Sequence, residues 1–283
     1  MSKYFNQTQQ TVEIGNGDHS QPGVLDQLLG TVKEGNALAV AVGQSRLEGC
    51  RKVAISRNGS APQLISKVTQ LNLRAAESYR ALRTRLMRMQ SGTGLRSVAI
   101  TSAMQGDGKT LTSANLALCF AQLTGFRTLI IDGDLRTHGL SKLFHLNRSV
   151  GLGEILAGST PYEDAICATD FPNLYVVSSG NNTTAPAELL AGTNFKEFIG
   201  WAGESFKLII VDSPPLPTVA DAELISAACD GVLMVVRALR TPRELLESAA
   251  TQLDQKKFLG VVYNGADHLG KYGPYRDYLQ VPK

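Results

Sequence analysis

Between residues 97 and 262 the sequence carries a succession of short apolar runs that do not alternate with polar residues. They are Ser97–Thr101, Arg127–Ile131, Leu174–Val177, Leu208–Val211, Val232–Val236 and Leu259–Val262. A strand with one wet face shows a period of two, whereas uninterrupted runs mark strands buried on both faces. Helix-length segments lie between most of them, notably Lys109–Leu123, Ala220–Ala228 and Arg243–Gln255. This alternation predicts a doubly wound α/β domain over residues 74–264, with a mostly parallel sheet and helices on both faces. Residues 1–73 read as a polar, partly mobile front segment and 265–283 as a flexible tail. With 283 residues, 43% of them hydrophobic and 19% charged, the chain is long enough for one sizeable core. That composition excludes a collagen-like, coiled-coil or wholly disordered protein.

The 28 basic and 25 acidic residues leave a net charge of +3, too weak to argue for nucleic acid. The distribution is more informative. Residues 1–90 hold 12 basic and 6 acidic residues (+6), and the remainder 16 and 19 (−3). Cys50, Cys119, Cys167 and Cys229 are scattered without a metal-site spacing, a pattern that suits a reducing compartment. The first ten residues lack the apolar core of a signal peptide, and no run is long enough to span a bilayer. A cytoplasmic protein is therefore expected.

Ala103-Met-Gln-Gly-Asp-Gly-Lys-Thr110 has the spacing of a phosphate-binding P-loop, with Ala where Gly is usual at the first position. A strand-like run precedes it and a helical stretch follows, as such a loop requires. Gly106 and Gly108 let the backbone approach phosphate oxygens, and the helix N-terminus behind them completes an anion cradle. Gln105 to Leu111 are thus candidate nucleotide contacts: Gln105, Gly106, Asp107, Gly108, Lys109, Thr110 and Leu111. Lys109 would reach the outer phosphates and the Thr110 hydroxyl would meet Mg²⁺. Acids for that metal stand at two strand ends. Asp212 closes Leu208–Val211, and Asp132 and Asp134 close Arg127–Ile131, two residues apart and so facing one way. In parallel sheets the carboxyl ends of strands face the ligand crevice. Arg136 lies nearby.

The P-loop, the DxDxR segment Asp132–Arg136, and Asp212-Ser-Pro-Pro215 resemble the bacterial tyrosine autokinases (BY-kinases) of capsular and exopolysaccharide synthesis, in their stand-alone cytoplasmic form. Glu77, Arg80 and Arg83 match that family's ExxRxxR segment, and Pro186–Leu190 and Ala220–Glu223 fall where similar runs occur. The likeness covers residues 74–278. The ParA/MinD-type partitioning ATPases share the fold and are the alternative: an ATPase switch that phosphorylates no tyrosine. Their second lysine would stand at position 104, which here is Met.

The resemblance implies an ATP- and Mg²⁺-dependent protein-tyrosine kinase that phosphorylates its own C-terminal tyrosines. Tyr272, Tyr275 and Tyr278 form such a cluster, holding three of the eight tyrosines. A tyrosine hydroxyl has an unperturbed pKa of about 10, so a carboxylate that takes its proton helps transfer. Asp132 is the favoured base, with Asp134 and Asp212 near the metal. Lys109, Asp132 and Asp134 form the catalytic set. Asn264, at the end of the last apolar run, is either an adenine contact or a turn residue before Gly265.

The front helix shows an apolar stripe at Ala75, Tyr79, Leu82, Leu86 and Met89, with Arg80, Arg83, Arg85 and Arg88 off it. The resemblance implies that Glu77, Arg80 and Arg83 are a subunit interface engaging a neighbour in a ring-like homo-oligomer. The implied partners are a membrane-embedded polysaccharide co-polymerase that recruits and activates the kinase at the inner face of the plasma membrane, and an opposing tyrosine phosphatase. Nucleic acid is not among them.

Overall fold

The computed structural model describes residues 47, 49–55, 73–181 and 184–265. The elements in chain order are β1 (Arg51–Val53), α1 (Leu73–Thr93), β2 (Ser97–Ser102), α2 (Lys109–Ala121), β3 (Thr128–Asp132), α3 (Gly139–Leu143), α4 (Leu152–Leu156) and α5 (Tyr162–Ala165). There follow β4 (Ile166–Thr169), β5 (Leu174–Val177), α6 (Pro186–Ala191), α7 (Asn194–Ser205), β6 (Leu208–Asp212), α8 (Ala220–Ala228), β7 (Gly231–Arg237), α9 (Arg243–Thr251) and β8 (Phe258–Asn264). The eight strands form one sheet in the order β1-β4-β5-β3-β6-β2-β7-β8. Every neighbouring pair is parallel except β4 and β5.

The unbroken apolar runs become strands, and the inner ones are buried as their pattern predicts. The run Leu259–Val262 is the exception, because β8 ends the sheet, and Val261 is 47% and Tyr263 51% exposed. Every residue of β2, β3 and β6 is buried. Along each strand alternate residues feed opposite faces. Val98, Ile100, Ile130 and Ile210 pack with Leu86 of α1 and with Ala114, Ala117 and Phe120 of α2. Ala99, Leu129, Ile131, Ile209 and Val211 pack on the other face with Phe198 and Ala202 of α7 and Ile225 of α8. Both faces are therefore covered, the arrangement parallel sheets need. Along α1, Ala75, Tyr79 and Leu82 are half-buried and Leu86 is 2% exposed, but Met89 is 37% exposed. The stripe leaves the core one turn earlier than expected.

The boundary expected at residue 73 does not coincide with the edge of the sheet, because β1 comes from the front segment and pairs in parallel with β4. It is three residues long and two of them, Arg51 and Lys52, are exposed, so it carries no periodic signal. The antiparallel strand β4 was equally silent. No helix among the described residues is long and apolar enough to cross a membrane. The tail tyrosines Tyr272, Tyr275 and Tyr278 and residues 1–46 lie outside the described residues.

Candidate active site

Strand β2 ends at Ser102, the loop runs over residues 103–108, and α2 starts at Lys109. Gly106 (φ +89°) and Gly108 (φ +94°) have the positive φ that glycine adopts readily and that lets the loop turn back into α2. A Cβ on Gly108 would also meet the Asn264 amide, so a side chain here would be strained and would displace Asn264 from the loop. Asp107 is 1% exposed and its carboxylate faces inward. It accepts hydrogen bonds from the Met104 N–H (3.0 Å) and the Thr241 hydroxyl (2.8 Å). The Asn264 amide donates to the Asp107 carbonyl at 2.8 Å. Asp107 thus braces the loop with its side chain, and only its backbone is turned to serve a ligand. Asn264 lies at the end of β8, against the loop, with one amide donor already engaged. Gln105 is exposed, and Thr110 and Leu111 are half-buried.

The parallel pairing of β3 with β6 puts Asp132 opposite Asp212. Both are fully buried. Asp132 Oδ2 accepts the N–H and the hydroxyl of Ser141 on α3, at 2.7 and 2.6 Å. Asp212 Oδ1 accepts the Ser113 hydroxyl of α2 at 3.1 Å. Asp134 Oδ1 accepts the Thr137 N–H at 2.9 Å, and its Oδ2 lies 3.6 Å from Lys109 Nζ. One oxygen of each carboxylate, Asp132 Oδ1, Asp134 Oδ2 and Asp212 Oδ2, has no hydrogen-bond partner although buried. Buried polar atoms without partners are rare and costly, and three in one place call for a cation or a donor. Burial pushes the Asp132 carboxyl up to about 6, against the pull of the Ser141 hydrogen bonds. Burial pushes Asp212 up to about 7; Lys109 and the Thr110 hydroxyl act against it, and Asp132 and Asp134 add to it.

This donor set fits Mg²⁺. That ion takes one or two carboxylates and completes its shell with water and substrate phosphates, so it needs no closed protein cage. Among the described residues no such cage of three or more acidic, imidazole or thiol groups occurs. Asp134, Asp212 and the Thr110 hydroxyl are the groups placed to hold it. A side chain at Gly139 would meet Thr110 Oγ1 at 3.1 Å, so α3 closes directly on the mouth of the P-loop.

Not all the expected residues converge. Arg136 turns away to α8, where its guanidinium makes a two-pronged pair with the buried Asp221, at 2.8 and 3.1 Å. Glu77 and Arg80 pair with each other on the surface of α1. Arg83 donates to the carbonyl of Cys119 at 2.6 Å, near the C-terminus of α2. Sequence reasoning passed over Ser113, Ser141, Thr241 and Asp221, each of which orients a residue it had selected. Serine and threonine are too common to stand out, and these act across 9 to 134 positions. His138, which has no ligand spacing in the sequence, is joined to this network. Its Nδ1 meets Ser179 Oγ at 2.9 Å, and Ser179 donates its N–H to Ser141 Oγ at 3.0 Å, two steps from Asp132. Burial holds His138 below the usual imidazole range, helped by the charges of Arg148 and Lys142.

Residues 95–246, more than half of the chain, match the AAA domain family. The chain is 38% identical over 217 residues to the tyrosine-protein kinase CpsD of Streptococcus agalactiae, covering 75% of this chain and 93% of that protein. It is 36% identical over 212 residues to the tyrosine-protein kinase YwqD of Bacillus subtilis, covering 72% and 89%. Among solved structures, the kinase domain of the Escherichia coli tyrosine kinase ETK superposes with a TM-score of 0.64 at 31% identity, covering 68% of this chain and 75% of that one. An ATP complex of Cyanothece McdA reaches a TM-score of 0.50 at 21% identity over 60% and 70%, a likeness of fold alone. The P-loop closed by Lys109, the paired strand-end acids and these kinase relatives lead to one conclusion: the chain belongs to the bacterial tyrosine-protein kinases.

Proposed function

We propose that the protein transfers the γ-phosphoryl group of Mg·ATP to tyrosines of its own C-terminal tail, Tyr272, Tyr275 and Tyr278. The observation that supports this reading most is the group of three buried carboxylates that each leave an oxygen unsatisfied, with Lys109 3.6 Å from one of them, Asp134. Phosphoryl transfer is mainly positioning and charge neutralisation. The loop N–H groups and Lys109 would hold the β- and γ-phosphates. Asp134, Asp212 and the Thr110 hydroxyl would hold Mg²⁺, which would supply neutralisation of the phosphate charge. Asp132 would accept the tyrosine proton at Oδ1. Ser141 fixes the other oxygen with two donors, so the carboxylate cannot swing away. Burial that lifts Asp132 to about 6 makes it a stronger base than an ordinary carboxylate while leaving it mostly ionised near neutrality. Asn264, braced against the loop, would border the adenine.

The wider role follows from the same reading. Self-assembly through Glu77, Arg80 and Arg83 would bring a tail to a neighbour's crevice. For that contact these side chains would exchange their present partners for a neighbour's. Each phosphate adds about −1.5 to −2 charge, so a fully phosphorylated tail would be repelled by the acidic crevice and the assembly would disperse. A cycle of this kind would regulate polymerisation and export of a surface polysaccharide. A membrane-embedded co-polymerase would recruit and activate the kinase at the inner face of the plasma membrane, and a tyrosine phosphatase would reset it.

The test incubates purified protein with Mg·ATP and follows ADP release and phosphopeptides together, with a Lys109→Met, Asp132→Asn double variant as blank. Phosphate on Tyr272, Tyr275 or Tyr278, absent from the blank, is the expected result. ADP release without phosphotyrosine, with the activating fragment present, would replace this reading by an ATPase switch.

A further inference from the structure

Beside the acidic crevice lies a hollow of opposite character. Ser141, Lys142, His145, Leu146 and Arg148 line an open cavity of about 450 Å³ formed by the end of α3 and the loop after it. Its wall at Ser141 is shared with the active site, since Ser141 gives both its N–H and its hydroxyl to Asp132. Lys142 and His145 are exposed and Arg148 is half-buried. Among the described residues neither Lys142 nor Arg148 has a carboxylate partner, whereas Arg80, Arg136 and Arg243 each do. A half-buried guanidinium, a lysine and an imidazole around one cavity make a site for a doubly charged anion. Arginine in particular suits phosphate, which it grips with two parallel hydrogen bonds.

Phosphorylation of the tail, as proposed above, would supply such an anion at a fixed spacing from the next acceptor. Tyr272, Tyr275 and Tyr278 follow one another at intervals of three residues. Three extended residues span about 10 Å, so when one tyrosine sits at Asp132 the next lies within reach of a neighbouring hollow. We infer that the hollow lined by Lys142, His145 and Arg148 binds a phosphotyrosine of the tail and so presents the next tyrosine to Asp132. This deepens the proposed function and rests on it for the identity of the acceptor. Binding alone is involved; no bond is made or broken in the hollow. The consequence is an order: the first phosphorylation is slow, and each phosphate recruits the tail for the following one. One hollow takes one phosphate, so additional phosphates on the same tail find no counter-charge. Recruitment and the later release thus have separate causes.

The experiment measures binding without ATP, so it reports on the hollow whether or not the kinase turns over. Fluorescein-labelled synthetic peptides covering residues 269–281, unmodified or phosphorylated on Tyr275, are titrated with the full chain and followed by anisotropy. The phosphopeptide should bind about tenfold more tightly, the scale of charge-assisted hydrogen bonds. Lys142→Gln with Arg148→Gln should abolish that preference, and Arg148→Lys alone should retain part of it. ATP affinity in each variant is the control for folding. Equal affinity for the two peptides overturns the inference. So does a preference that survives in the double variant. Displacement of the phosphopeptide by inorganic phosphate at the peptide's own concentration also overturns it, because the hollow would then be a simple anion site. Absence of phosphotyrosine in the Mg·ATP incubation, by contrast, would count against the kinase reading and leave the binding result standing.

Discussion

The strand-end carboxylates and the arginine-rich face of α1 are both dense in charge, yet the fold holds them in opposite ways. Asp132 and Asp212 are fully buried, stand opposite each other across β3 and β6, and each leaves one oxygen without a partner. On α1, Arg85 and Arg88 are exposed and Glu77 and Arg80 satisfy each other at the surface. Burying an unpaired charge is costly, and a fold keeps one only where something else compensates for it. A solvated ion pair contributes about 0–1 kcal/mol and therefore says little about why it is there. The contrast is what supports the proposed cation and phosphate at the strand ends, while the proposed role of the α1 charges needs a second copy of the chain.

The largest effect should come from breaking the buried side of this contrast. Asp132→Asn removes the proton acceptor and keeps the shape, and autophosphorylation should fall by about 10²–10⁴-fold, the usual worth of a general base. ATP binding should change little, since Asp132 is not among the groups placed on the phosphates. Single-turnover phosphotyrosine formation, measured beside nucleotide affinity, checks both halves. A loss of ATP affinity instead would move Asp132 from base to nucleotide ligand.

A smaller effect should follow when the brace of the P-loop is cut. Thr241→Val removes the hydroxyl held by Asp107 and leaves that buried carboxylate with the Met104 N–H alone. Losing a hydrogen bond to a charged group costs about 1.5–3 kcal/mol. If half of that reaches the nucleotide, the dissociation constant for Mg·ATP should rise about threefold to tenfold. Calorimetric titration of the variant tests it; unchanged affinity would show that the loop keeps its shape without the brace.

The buried carboxylates also predict how stability depends on pH. Asp132 and Asp212 sit at about 6 and about 7 in the folded chain, above the 3.8 of an unperturbed aspartate. Between those limits the folded state binds more protons than the unfolded one, so stability falls as pH rises from about 4 to about 7. Asp212→Asn cannot ionise and should flatten the profile, gaining on the order of 1–2 kcal/mol at pH 8 in ligand-free protein. Saturating Mg·ADP should flatten the wild-type profile as well. Thermal melts across this range decide the matter, and a wild-type profile that rises with pH would mean the carboxylates are already compensated within the protein.

Much of this was legible in the sequence because it rests on local pattern. The six apolar runs became strands, and the loop from Ala103 to Thr110 fell between a strand and a helix as its spacing required. Asp132, Asp134 and Asp212 could be placed in one crevice because parallel strands present their carboxyl ends together. What escaped depended on contacts between distant segments. Nothing near residue 51 announces that Arg51–Val53 will pair with Ile166–Thr169. Arg136 looked like a ligand of the crevice, but α8 offers it the buried Asp221, and a carboxylate without other compensation outbids solvent for a guanidinium. Ser141 was invisible for the same reason: its importance lies in where α3 places it, against Asp132.

The surface side of the contrast yields the smallest effect on stability and the clearest one on assembly. Glu77→Ala, Arg80→Ala and Arg83→Ala together remove one exposed ion pair and the donor to the Cys119 carbonyl. The pair contributes little in water, and the carbonyl lies near a helix end where solvent can replace the guanidinium. The triple variant should therefore melt within about 1 kcal/mol of the parent. If α1 meets a second copy, the same variant should sediment as a monomer under conditions where the parent assembles, and trans-phosphorylation should fall with it. A destabilised variant that still assembled would reverse the reading. It would show that Arg83, reaching from α1 to the Cys119 carbonyl of α2, is a brace inside the protomer and that the interface lies on another face.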